Sequence, residues 1–284
     1  YKRQQFFFER FYTETGRAAA LPLHQYMTKF FRLCDLVLQA ELDSLLAANS
    51  PRAEYRKEHG AIQLTSSQKD EIVNFAREMH KSGDFHHGID HVELTVKLAD
   101  YLARKEHADE EICNVSAYLH DIAKAEIGAM PKGNFKELQN KSDGHGKLGA
   151  EKAREFLKKL GVPDSFAEQV HYAIAHHDND HPKRTLEAKV LWDADKLQLV
   201  GPFGFARIIQ YYLVYLQKDI NYAIEQAKCW QQFFFERFCT ETGRALAIRL
   251  HEFMKEFYRL LDVVRELRLE SLLAKTSKTP GQFS

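Results

Sequence analysis

The chain has 284 residues, 44% hydrophobic and 28% charged, with 40 Lys and Arg balanced by 40 Asp and Glu. It is long enough to bury a real core and too apolar to stay disordered. It lacks the basic excess of a nucleic-acid-binding surface, and no apolar run approaches the roughly 18 residues of a bilayer span, so neither nucleic acid nor membrane is an expected partner.

The first element announces itself by repetition. Gln4 to Phe11 recurs as Gln231 to Phe238, and the match runs on without a gap at an offset of 227 residues. Positions 4 to 47 against 231 to 274 give 28 identities in 44, which is a duplication and not chance. Both copies carry apolar residues at three- and four-residue steps, the mark of an amphipathic helix. In the first copy (residues 1–47) the stripe includes Phe7, Phe8, Phe11, Met27, Phe30 and Phe31. So much apolar surface must be covered, either by the C-terminal copy or by the same helix of a second subunit in a homo-oligomer.

Residues 48–66 turn polar and read as a linker, with Asn49-Ser50-Pro51 and His59-Gly60 as breakers. A helix is expected from about Ser67, with Asp70 three residues on as a capping signature. Through residues 67–227 helical periods alternate with Gly, Asn and Pro punctuation and with loops at Asp164-Ser165 and Asp178-Asn179-Asp180, and no alternating strand pattern appears. Residues 228–275 hold the second copy, with Phe235, Phe238, Leu246, Leu250, Phe253, Met254, Phe257 and Leu261 on its stripe, and 276–284 form a tail. This stripe reads first as a core-facing surface and only second as one for lipid or a partner. The expected architecture is all-α. Cys34, Cys113, Cys229 and Cys239 show no CxxC spacing and suit free thiols of a reducing, cytoplasmic compartment. The chain starts at Tyr1 with neither a Met nor a signal-like segment, and reads as a fragment.

Ten of the 14 histidines lie between His86 and His181, which says where to look for chemistry. Four segments stand out there: His86 to His91, Ala117 to Lys124, His145 to Ala150 with Ala173 to Asp178, and Ala188 to Leu197. His120 and Asp121 close an apolar helical stretch, and Asp193 and Asp195 sit among Val190, Leu191, Trp192 and Leu197. Burying such groups is costly unless something compensates them, and a metal ion is a common compensation. Imidazoles and carboxylates without thiolates suit a divalent Mn, Fe, Mg, Ni or Zn ion.

A His, a His-Asp pair and a distant Asp in Asp193-Ala194-Asp195-Lys196-Leu197 resemble the HD-domain phosphohydrolase superfamily, over about residues 80 to 260. The Thr-Glu-Thr-Gly-Arg helix is also similar to the C-terminal helix of bacterial and archaeal HD hydrolases. The resemblance implies an HD-type helical bundle, here with a duplicated amphipathic helix at both ends, and metal-dependent hydrolysis of phosphate esters. The ligands it implies are His91, His120, Asp121 and Asp195, because the family's last ligand directly precedes Lys/Arg-Leu. Asp193 then stands behind the ligands or against the substrate. His145, with Gly149 four residues on, and one or both of His176 and His177 resemble the extra ligands of binuclear members, in which Asp121 would bridge. One ion is expected, with a second left open. His86, His87, His171 and His181 read as loop or surface histidines.

Lys124, one helical turn after His120, suits a group that meets phosphate charge in catalysis, and Lys196 and Arg207 are further candidates for binding a phosphate substrate. The chain departs from many relatives at Leu94, where an Arg is common, and at Gln198, where an Asp is common. Both departures bear on which substrate is taken. The expected function is a metal-dependent phosphohydrolase acting on a nucleotide or other small phosphate ester. The alternatives are a di-iron oxygenase of the same fold and a non-catalytic helical module stapled by its metal.

Overall fold

The computed structural model describes residues 14–39, 62–81, 88–127, 132–138, 144–178 and 184–265, and among them the regular structure is all helical. Helix α1 spans Glu14–Gln39. Helix α2 spans Ser66–Met79, and its cap is Thr65 and not the expected Ser67. The Thr65 hydroxyl accepts from the Gln68 amide at 3.2 Å while the Gln68 side chain accepts from the Thr65 amide at 3.0 Å, a reciprocal pair that satisfies two otherwise orphaned donors. Helix α3 (Ile89–Glu106) is followed by α4 (Glu110–Leu119), whose start is held by Asp109 accepting from the Glu111 and Ile112 amides. Glu110 and Glu111 add negative charge where the helix dipole favours it.

Two single-turn helices, α5 (Lys124–Ile127) and α6 (Phe135–Leu138), precede α7 (His145–Lys159) and α8 (Asp164–Ala175). Helix α9 (Leu186–Lys196) runs into a 3₁₀ turn at Leu197–Leu199, then α10 (Gly201–Gln210) and a π turn at Tyr211–Tyr215. Helices α11 (Ile220–Phe235) and α12 (Glu241–Arg265) end the described chain.

The core forms where α3, α4, α8 and α9 pack on one another, with α7 laid along α8. Leu98, Leu102, Leu119, Phe166, Ile174 and Leu191 are fully buried there, each worth roughly 1.5–3 kcal/mol of transfer free energy. Helix α12 closes the bundle with the expected stripe: Leu246, Leu250, Phe253, Met254 and Phe257 are all buried. Its duplicate α1 lies on α10 and α12, where Phe30, Leu33 and Val37 are buried. The stripe of the first copy is thus covered within the chain over its described part; Phe7, Phe8 and Phe11 lie outside the described residues, as do His86, His87, His181 and most of the linker.

Candidate metal centre

The chemistry-bearing residues sit at helix ends that converge on one buried spot. His91 is in the first turn of α3, His120 caps the C-terminus of α4 with Asp121 next, His145 opens α7, His177 follows α8, and Asp195 is at the last turn of α9. All six are buried. The turn carrying His120 can lie close to α7 because Gly149 has no side chain: a Cβ there would stand 3.3 Å from the His120 carbonyl oxygen.

What orients the rings is the partner on each Nδ1. His120 Nδ1 lies 2.8 Å from the Ala117 carbonyl and His177 Nδ1 2.6 Å from the Ile174 carbonyl. His91 Nδ1 lies 2.9 Å from Gln198 Oε1, and His145 Nδ1 3.5 Å from Asp178 Oδ2. Each of these oxygens accepts, which favours the proton on Nδ1 and leaves Nε2 as the atom that can ligate, although Arg207 Nη1 also lies 3.3 Å from His91 Nδ1. The four lone pairs face inward. His91 and His120 meet at 3.3 Å between Nε2 atoms, and His145 and His177 at 3.1 Å.

Asp121 stands between the two pairs. Its Oδ2 is 3.4 Å from His120 Nε2 and 3.7 Å from His91 Nε2, while its Oδ1 is 3.2 Å from His145 Nε2 and 3.5 Å from His177 Nε2. Oδ1 is buried with no hydrogen-bond partner among the described residues. Asp195 completes the first group, with Oδ1 3.5 Å from His91 Nε2 and Oδ2 ion-paired to Lys196 at 2.5 Å. Facing lone pairs around an unsatisfied carboxylate repel unless a cation sits among them, so this donor set fits a divalent ion. His91, His120 and Asp195 form one cluster of converging donor atoms, and His120, Asp121 and His177 form another.

The electrostatics agree. Burial, with the Arg207 guanidinium nearby, pushes His91 down to about 4, and burial also lowers His177, so both rings are neutral ligands at neutral pH. Burial opposes the charge on Asp121, but the His120 imidazole beside it holds the carboxyl well below its usual range, and Asp121 in turn lifts His120. Against the same cost of burial, Lys196 and His91 keep Asp195 ionised.

The remaining expected residues fall in different places. His176 turns its ring to Tyr172, with centroids 4.5 Å apart, so His177 is the member of the pair that faces Asp121. The chain turns between α4 and α5, so Lys124 does not share a continuous helix with His120; it opens α5 half-buried, its amide bonded to the Asp121 carbonyl. Lys196 Nζ lies 5.2 Å from the Trp192 ring centroid and 5.6 Å from that of Phe234. Asp193 points away from the centre. Its oxygens accept from the Cys239 amide (2.8 Å), the Thr240 amide (2.8 Å) and the Thr240 hydroxyl (2.6 Å) at the start of α12. Contact with substrate is therefore not what this carboxylate is set up for. His171 pairs on the surface with Glu151 at 3.0 Å.

Gln198 was legible only as a departure from a pattern, yet it holds the first histidine. The Thr95 hydroxyl donates to the His91 carbonyl at 2.8 Å, so its oxygen accepts from Gln198 Nε2, also at 2.8 Å. That fixes the amide with Oε1 towards His91 Nδ1, and Arg207 donates to the same oxygen at 3.1 Å. Arg207 thus stands behind His91. Replacing Gln198 by Leu should weaken divalent-metal binding by about 10–100-fold, the usual effect of losing a ligand's orienting partner, whereas Gln198→Glu keeps an acceptor and should lose little. Titration calorimetry with Mn²⁺ measures the affinity, and ¹⁵N imidazole shifts read the His91 tautomer; equal affinity for the Leu variant would remove this role.

The comparisons with known proteins centre on this region. Residues 88–199 match the family model of the HD domain. The chain is 25% identical over 203 residues to the uncharacterised protein YpgQ of Bacillus subtilis (strain 168), spanning 69% of this chain and 92% of that protein. It is 25% identical over 233 residues to ribonuclease Y of Acidothermus cellulolyticus, spanning 78% of this chain but only 40% of that enzyme. The crystal structure of B. subtilis YpgQ in complex with ADP superposes with a TM-score of 0.53 at 24% identity, over 69% of this chain and 94% of that one. Among the described residues no helix is long and apolar enough to cross a membrane.

Proposed function

The chain belongs to the HD-domain superfamily, and from that premise we propose that it is a metal-dependent phosphohydrolase acting on a nucleotide or another small phosphate ester. The observation that carries the reading is the convergence of four imidazole Nε2 atoms on the buried Asp121 carboxylate. His91, His120, Asp121 and Asp195 would hold a divalent ion, which when bound would supply a water of lowered pKa and a Lewis acid for a phosphoryl oxygen. His145 and His177, beside Asp121 Oδ1, would be the further donors for a second ion. The chain's own residues then position and neutralise. Gln198 and the backbone carbonyls keep the rings in one tautomer, Lys196 balances Asp195, and Lys124 beside Asp121 supplies a cation for phosphate charge.

A nucleotide is favoured as the phosphate ester by the ADP found with the Bacillus relative. Ribonuclease Y raises RNA as a substrate, but the balance of 40 basic and 40 acidic residues gives this chain no net attraction for a long polyanion. The test is metal analysis of the purified protein, then a panel of nucleotides, sugar phosphates and an RNA oligonucleotide with added Mn²⁺. Hydrolysis of a small ester that stops with chelator supports the reading. Oxygen consumption by iron-loaded protein without ester cleavage would select the di-iron oxygenase, and metal without any turnover the stapled module.

Lys124→Ala should keep the metal and lower the rate about a hundredfold, the scale for losing one donor to developing charge. Steady-state kinetics with metal content measured alongside checks it, and an unchanged rate would return Lys124 to a solvated side chain.

A further inference from the structure

The contact between α1 and α12 joins like to like. Tyr26 stacks on Phe253 with ring centroids 4.5 Å apart and an interplanar angle of 19°, and its hydroxyl donates to the Phe253 carbonyl. Phe30 meets Phe257 at 5.1 Å. Both pairs are separated by 227 residues, the offset of the duplication. The cross pairs match in distance, with Phe30 to Phe253 at 6.4 Å and Tyr26 to Phe257 at 6.3 Å, and exchanging the two copies turns one pair into the other, while their interplanar angles of 53° and 18° differ. Equivalent positions facing each other, with equal cross distances, are what a two-fold isologous interface produces. Here the relation lies inside one chain, between helices that differ only as Tyr against Phe at the first pair and not at all at the second.

The two sides are not equally supported. Phe257 also packs on Phe205 of α10 at 5.0 Å, and Leu260 and Val263 are buried next to Tyr26. Phe30 borrows the same Phe205, at 6.2 Å. Helix α12 is therefore rooted in a core of its own, while α1 leans on the core that belongs to α12. A second α12 would bring to this seam the same aromatic residues, together with an α10 of its own.

We propose that the face formed by α10 and α12 is a self-pairing interface whose partner is α12 of a second copy of this chain, and that α1 occupies that partner's place within the chain. The tether gives α1 a high effective concentration at the seam, so the intact chain is monomeric through this face, and weakening α1 opens it to a second copy. This holds whether or not the metal centre hydrolyses anything.

Sedimentation of the intact 284-residue chain over a range of concentrations tests the proposal. Phe30→Asp puts an uncompensated charge on the α1 side only, and should give a dimer whose fraction rises with concentration. Adding Phe257→Asp, which spoils the α12 side as well, should return the chain to a monomer. A Phe30→Asp chain that keeps wild-type helicity and metal content yet stays monomeric overturns the proposal, as does open-ended association that Phe257→Asp fails to reverse. If Phe30→Asp loses its helical signal, Tyr26→Ala removes the stacked ring and the hydroxyl donor without adding charge, and is read by the same two outcomes.

Discussion

Asp121→Ala should bring both bound divalent metal and phosphate-ester hydrolysis to background. Among the described residues no other carboxylate faces both histidine pairs: Oδ2 lies 3.4 Å from His120 and Oδ1 3.2 Å from His145. Without it, the carboxylate left beside His91 among the described residues is Asp195, whose other oxygen is already committed to Lys196. A divalent ion there would keep most of its charge in a buried setting, which costs far more than one lost contact. Asp121→Asn is the companion variant: it keeps the shape, halves the anionic charge at the centre and should also lose metal. Elemental analysis of the purified variants and a metal-dependent esterase assay read the two effects separately. Wild-type metal content in Asp121→Ala would sink the assignment of the centre, whatever the activity.

Much of this centre could be read from residue order. His91, His120, Asp121 and Asp195 were expected together, and they lie together. The reason is that burial of charge leaves a visible mark in sequence: polar residues stand directly after buried apolar ones such as Leu119 and Val190 to Trp192. The all-helical architecture was legible for a related reason, since three- and four-residue apolar steps recur from α2 to α12. What was not legible depended on direction and on long-range pairing. His176 and His177 are adjacent in sequence, and only the way α8 ends decides that His177 turns inward and bonds the Ile174 carbonyl. Gln198 acts 107 residues from the ring it holds, a distance that no local pattern spans. The cap of α2 was misplaced by two residues because Thr65 and Ser67 offer the same chemistry, and Gln68 settles the choice in favour of Thr65.

Asp193→Ala should destabilise the fold by on the order of 3 kcal/mol, the scale of breaking a buried hydrogen-bonded network, while leaving the metal ligands in place. Two residues along a helix lie roughly 200° apart around its axis, so a carboxylate two positions before Asp195 must face elsewhere. It faces the start of α12. The Cys239 and Thr240 amides lie just before that helix, and Asp193 accepts from both. The Thr240 hydroxyl, held by Asp193, in turn accepts from the Gly243 amide at 3.0 Å. The approach is so close that a Cβ on Gly243 would lie 2.3 Å from Asp193 Oδ2, which is the physical content of the Thr-Glu-Thr-Gly sequence. Burial pushes the Asp193 carboxyl up to about 6 even with these donors around it, so the carboxylate is expensive to keep and is held by what it docks. Removing it strands the buried Thr240 amide and the part-buried Cys239 amide and loosens α12, along with the apolar face through Leu246, Leu250 and Met254. Gly243→Ala should destabilise in the same direction, because the new methyl group would displace the carboxylate. Chemical denaturation of metal-free protein gives the free energies without interference from ligand binding. If Asp193→Ala unfolds at the wild-type midpoint but loses turnover, the carboxylate serves the substrate after all, and the docking role assigned here is wrong.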